Sequence, residues 1–162
     1  MIKALREETG AGVMDAKRAL DEANGDIGKA KEIIRERGAA AAAKRSDRET
    51  SNGVVDSYIH AGGRIGVLVE LNCETDFVAN TADFRSLARS IAMQIAAMNP
   101  AVISPADRAQ VEVEGSDEEV CLLSQPFIKD PKLSIGDLVK ETVAKTGENI
   151  RVRRFVRYEL GR

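Results

Sequence analysis

Tryptophan is absent from this chain, and four phenylalanines and two tyrosines make up its whole aromatic content. Its core must therefore be filled mainly by Ile, Leu, Val and Ala. Neither sign of charge is in excess: 24 Lys and Arg stand against 26 Asp and Glu, a net −2. That balance argues against a protein whose main task is to coat nucleic acid. No stretch approaches the roughly 18 apolar residues that a membrane-crossing helix needs. Met1–Gly10 is charged and runs directly into a helical pattern, so no secretory signal is expected. Cysteine is limited to Cys73 and Cys121, far apart and without secretory features; free, buried thiols in a reducing compartment are expected. The one histidine, His60, has no Ser or Cys near it in a nucleophile motif, and with the cysteines it lacks the paired spacing of a zinc site. Gly10-x-Gly12 and Gly62-Gly63 are too short for a phosphate loop, and no Lys-Ser/Thr pair follows them. No catalytic residue, resident metal or cofactor is expected.

The 162 residues have room for one ordinary domain, or a very small one beside a medium one. Residues 1–38 predict three short helices. Ile2 and Leu5 edge the first, and Gly10-Ala11-Gly12 ends it; Ala16, Ala19, Leu20 and Ala23 mark the second, which stops at Asn24-Gly25. Asp26 is a good N-cap for the third, with Ile27, Ala30, Ile33 and Ile34 on one stripe and a stop near Gly38. Residues 39–52, alanines followed by mixed charges, offer no apolar stripe and read as a solvated helical linker.

The second domain, 53–162, opens with a strand over Val54–His60 and a turn at Ala61-Gly62-Gly63. Ile65, Val67, Val69, Leu71 and Cys73 then alternate with Gly66, Leu68, Glu70 and Asn72, the clearest strand of the chain. Phe84, Leu87, Ala88, Ile91, Ile95 and Met98 mark a long amphipathic helix closed by Asn99-Pro100. Residues 101–118 read as loop and Val120–Leu123 as a short strand. Ser134-Ile135-Gly136-Asp137 resembles a capping box that opens a helix reaching Gly147, and Ile150–Leu160 is a final strand. The order predicts an α+β fold: a three-helix N-terminal domain, then a core with a small, mostly antiparallel sheet packed by helices.

Three features stand out as candidate sites. Glu70, Glu74 and Asp76 could hold a hard cation, but two of them lie at a strand-to-helix junction, where acids cap free backbone N–H groups. Phe77 follows directly; it is either a staple under the new helix or a protruding aromatic anchor, and spacing alone leaves both open. Arg151, Arg153, Arg154 and Arg157 give the last strand a basic character, read as a solvated sheet face or guarded edge, with an RNA-associated module as the second reading.

Two stretches carry a family resemblance. Leu5–Leu20 (LREETGAGVMDAKRAL) and Glu70–Asn80 (ELNCETDFVAN) resemble the two signatures of translation elongation factor Ts. The similarity extends to Gln125-Pro126-Phe127 and to Gly147-Glu148-Asn149-Ile150 with Arg153-Arg154-Phe155. The resemblance implies a guanine-nucleotide exchange factor that drives GDP release from elongation factor Tu in translation, without covalent chemistry. It implies a ubiquitin-associated-like N-terminal domain that contacts the GTPase through Arg6, Val13, Met14 and Lys17. It further implies that Thr75, Asp76, Phe77 and Val78 insert beside the partner's nucleotide pocket and dislodge the partner's Mg²⁺, so that the metal is not this chain's own. Short family members also imply a homodimer. No membrane and no direct contact with nucleic acid are required. The setting is bacterial cytoplasm, or the stroma or matrix of an organelle of bacterial descent. The helical insert that the family carries between the long helix and Gln125 is reduced here to Ala101–Glu119.

Overall fold

A computed structural model describes residues 1–162. The N-terminal helices are α1 (Ile2–Thr9), α2 (Val13–Glu22) and α3 (Ile27–Arg45). Gly10 closes α1 in the left-handed region, its N–H bonding to the Arg6 carbonyl, and Asp26 caps α3 by accepting from the Lys29 N–H at 3.1 Å. Leu5, Ala16, Ala19, Leu20, Ala23 and Ala30 make a small closed core among the three helices. Alanine dominates it, so the helices approach closely and little apolar area is buried.

The third helix does not stop at Gly38. Good helix formers follow, and the glycine answers a packing demand instead: a Cβ there would come within 3.2 Å of the Ala144 Cβ. Ala42, one turn on, is buried in the main core. The stretch expected to be a solvated linker therefore begins as the packed end of α3. A bare run of alanines hides this in the sequence, because Ala alone makes a weak apolar stripe.

The core sheet has the order β1 (Asn52–Ile59), β2 (Ile65–Cys73), β5 (Ile150–Glu159), with both pairings antiparallel. Val67, Val69, Leu71 and Cys73 turn their side chains inward, as the alternation predicts. They meet α5 (Ala82–Met98), which brings Phe84, Leu87, Ala88, Ile91, Ala92 and Ile95 into the same cluster. α7 (Ile135–Thr146) adds Ile135 and Val143 and carries the expected capping box at Ser134 and Asp137. Gly53 is needed where β1 starts, since a Cβ would stand 2.1 Å from the Leu71 carbonyl oxygen. The opposite sheet face is bare: Val55, Ile59, Leu68, Val156 and Tyr158 are all exposed on it.

Between α5 and α7 the structure departs from expectation. Residues 101–118 hold a 3₁₀ turn, Pro105–Gln110, and the one-turn helix α6 (Asp117–Val120) rather than plain loop. Val120–Leu123 is not a strand; α6 ends at Val120, Cys121 makes only an isolated bridge to Val102, and Leu122–Ser124 is a 3₁₀ turn. The apolar run packs as a local cluster of Val102, Val120 and Cys121 with Val113. The paired strands lie just beyond, as the small hairpin β3 (Pro126–Phe127) and β4 (Asp130–Ser134). Buried Gln94 of α5 holds it: Nε2 donates to the Pro126 carbonyl at 3.0 Å, and Oε1 accepts from the Ile128 N–H at 3.0 Å. No helix of the chain is long and apolar enough to cross a membrane.

Candidate partner-binding site

The first half of the site is the turn that follows β2. Thr75 leaves the strand extended and caps α4 (Asp76–Ala79), its Oγ1 accepting from the Val78 N–H at 3.3 Å. The same hydroxyl donates to Glu148 Oε2 at 2.7 Å, while the Thr75 N–H donates to Glu148 Oε1 at 2.9 Å. Side chains also hold the far end of the turn. Asn80 Nδ2 donates to the Asp76 carbonyl at 2.9 Å, Thr81 Oγ1 to Val78 at 2.7 Å, and Arg85 Nε to Ala79 at 3.0 Å.

This scaffold sorts the four side chains. Val78 turns into the main core and Thr75 is spent on capping, so Asp76 and Phe77 are the pair that points outward. Phe77 is 79% exposed. A staple beneath the following helix is thereby ruled out. Leaving a phenyl ring in water forgoes roughly 1.5–3 kcal/mol of burial, which is unusual in a chain with so few aromatics.

The three neighbouring carboxylates do not converge. Glu70 accepts from Arg154 Nε at 3.0 Å and pairs with Arg153 at 3.4 Å. A register shift between Glu70 and Leu71 puts the two consecutive arginines within reach of the one acid. The Glu70 carboxyl lies below its usual range, first through a hydrogen bond from Asn72 and then through Arg154 and Arg153. Glu74 has partners of its own, accepting from the Asn149 N–H at 2.7 Å and pairing with Arg48 at 3.6 Å. The cap itself is Thr75, not an acid as the junction suggested. Arg157 is occupied too, donating to the Ala96 carbonyl at 3.1 Å and to Glu159 at 3.2 Å. Burial pushes the Cys73 and Cys121 thiols up from their ordinary values, and both are free. His60 sits at the surface against Tyr58, with Tyr58 Oη 3.1 Å from Nδ1.

The second half lies on the N-terminal helices. Arg6, Val13, Met14 and Lys17 are all exposed; Val13 and Lys17 are one turn apart on α2, with Met14 beside them. Arg6 bridges toward α2 through a 3.3 Å bond from Nε to the Ala11 carbonyl. The Gly10–Gly12 turn that joins α1 to α2 shares a cleft with Ala144 and Lys145 of α7. Three residues beyond Lys145, Glu148 grips Thr75. The C-terminal end of α7 thus underlies both halves.

The sequence model of the family described as Elongation factor TS matches residues 17–117 and 110–162. This chain belongs to the elongation factor Ts family. Its relatives include the elongation factor Ts of Carboxydothermus hydrogenoformans, 54% identical over 190 residues covering 99% of this chain and 88% of that protein. Those of Desulfosudis oleivorans and Moorella thermoacetica are 50% and 51% identical, each covering 99% of this chain and 96% and 93% of theirs. The membership assigns the chain to the elongation stage of translation. The alignment to the Carboxydothermus relative is 190 positions long against a chain of 162, so at least 28 positions of that relative have no counterpart here. The two stretches of the family match overlap at residues 110–117, in the connection between α5 and β3.

Sequence reasoning placed Glu148 and Asn149 within the family resemblance but gave them no role in the site. A left-handed glycine cap at Gly147, followed by two polar residues where a buried strand begins, was the available signal.

Proposed function

We propose that this chain binds elongation factor Tu and speeds release of its GDP without making or breaking a bond. Phe77, with Asp76 beside it, enters the partner next to the nucleotide pocket and displaces the partner's Mg²⁺. Arg6, Val13, Met14 and Lys17 hold the GTPase domain at a second point. The observation that carries this reading is a single one: a 79% exposed phenylalanine on a turn whose own backbone is fastened by side chains, in a chain of this family. A rigid exposed ring loses little conformational freedom on docking, which favours it as an interface anchor.

The thermodynamics is linkage. A ligand that prefers the nucleotide-poor form lowers nucleotide affinity, and nucleotide lowers its affinity by the same factor. Loss of Mg²⁺ leaves the diphosphate charges of GDP uncompensated, which weakens its hold further. The bare sheet face with Val55, Ile59, Leu68, Val156 and Tyr158 is, on this reading, where a second copy of the chain docks. The test is direct: fluorescent GDP is preloaded on elongation factor Tu and its release followed with excess unlabelled GDP. Release that quickens in proportion to added chain is the expected outcome, and an unchanged rate at micromolar chain overturns the reading.

A further inference from the structure

Glu148 and Asn149 are adjacent in sequence and reach in two directions. Glu148 accepts two hydrogen bonds from Thr75, one from the backbone and one from the hydroxyl. Because the hydroxyl gives its proton to Glu148, its lone pairs are left facing the Val78 N–H that it caps. Asn149 is buried; its N–H bonds to Glu74, the residue before the turn, and its Nδ2 donates to the carbonyls of Ser46 at 3.2 Å and Arg48 at 2.8 Å. Ser46 follows directly on the last residue of α3. Arg48 also pairs with Glu74 at 3.6 Å, and Asn52 Nδ2 donates to the Glu74 carbonyl at 3.0 Å. Two consecutive side chains thus join the root of the Phe77 turn to the end of the helix that carries the N-terminal domain.

We infer that Glu148 and Asn149 are positioning residues for exchange: Glu148 fixes the aim of Phe77, and Asn149 fixes the distance between the Phe77 turn and the N-terminal contact. The inference rests on the exchange reading above. Neither residue needs to touch the partner. Their work is done before binding, by keeping two separate contact points in one rigid relation, so that no ordering cost falls on the docking step.

The two residues are separated by their readouts. In Glu148→Ala the maximal GDP-release rate at saturating chain falls about tenfold, the scale on which two solvent-exposed hydrogen bonds together contribute about 1.4 kcal/mol. The half-saturating concentration stays near wild type, and amide exchange at residues 75–78 quickens by about the same factor. Glu148→Gln keeps one acceptor oxygen and falls between wild type and Glu148→Ala in both measurements. Asn149→Ala chiefly raises the half-saturating concentration. Wild type and Phe77→Ala are run alongside. If wild type itself releases no GDP, the exchange reading fails, whereas the amide measurement still reports on the turn. Wild-type release by both Glu148 variants overturns the inference, with or without a loosened turn. So does a slowed release with unchanged amide protection, because Glu148 would then act by touching the partner.

Discussion

At the scale of single residues, the turn after β2 separates two neighbours by their direction alone. Phe77 faces water and Val78 faces the core, so truncating each must have opposite consequences. Phe77→Ala removes an interface anchor, typically about 2 kcal/mol or more and hence roughly 30-fold in affinity or rate. Its denaturation midpoint should match wild type, since nothing buried is lost. Val78→Ala deletes two buried methyl groups, about 2 kcal/mol of stability, and should shift the urea midpoint while leaving GDP release at saturation unchanged below it. Urea titration and GDP release on both variants check the pair. A stability loss in Phe77→Ala with normal release in the folded protein would reverse the assignment. The position of Phe77 was legible from the sequence, but its direction was not. Direction depends on Glu148 holding Thr75 from 73 residues further along the chain, and no local pattern encodes that contact.

Among the elements, α3 teaches why glycine is an ambiguous signal. The same residue marks a helix stop and a place where two helices touch, and at Gly38 it is the second. Propensity alone says that replacing a mid-helix glycine should gain up to about 1 kcal/mol. Packing says otherwise. Gly38→Leu forces a branched side chain against Ala144 and should cost about 1–3 kcal/mol, seen as a lowered thermal midpoint with the helical signal retained. A stabilised variant would show that α3 is free of α7 at this point. Elsewhere, long periodic elements were readable: β2 by strict alternation, α5 by its stripe, α7 by its capping box. The short ones were not. Val120–Leu123 is apolar enough for a strand, but such brief runs fit a turn of helix as well, and here the local cluster with Val102 decides. The β3–β4 hairpin has too few residues to show a period, and a buried glutamine from another element holds it in place.

For the molecule as a whole, one sheet face is covered by α5 and the other is bare. Val55, Ile59, Leu68, Val156 and Tyr158 are exposed on one face across three strands, with Ser57, Glu70 and Arg154 beside them, and soluble monomers avoid leaving large apolar patches open. Sedimentation equilibrium at micromolar concentration should give twice the 17.5 kDa chain mass. Leu68→Glu, in the centre of the face, should return the single-chain mass without unfolding, because Leu68 is half exposed within one chain. A wild-type protein that stays at 17.5 kDa as concentration rises would exclude self-association through this face.

The connection between α5 and β3 has one further consequence. Arg108 closes a loop in its middle, pairing with Asp117 at 2.6 Å and donating to the Gly115 carbonyl at 2.9 Å and the Val113 carbonyl at 3.2 Å. Length added between Val111 and Gly115 would begin and end at points already held close together, and each doubling of such a loop costs only about 0.6 kcal/mol in closure entropy. Neither the Phe77 turn nor the N-terminal face is anchored there. A peptide tag or small fluorescent module spliced into this stretch would therefore ride on the surface as a passenger, and the protein could report on its own binding while keeping both contact surfaces intact.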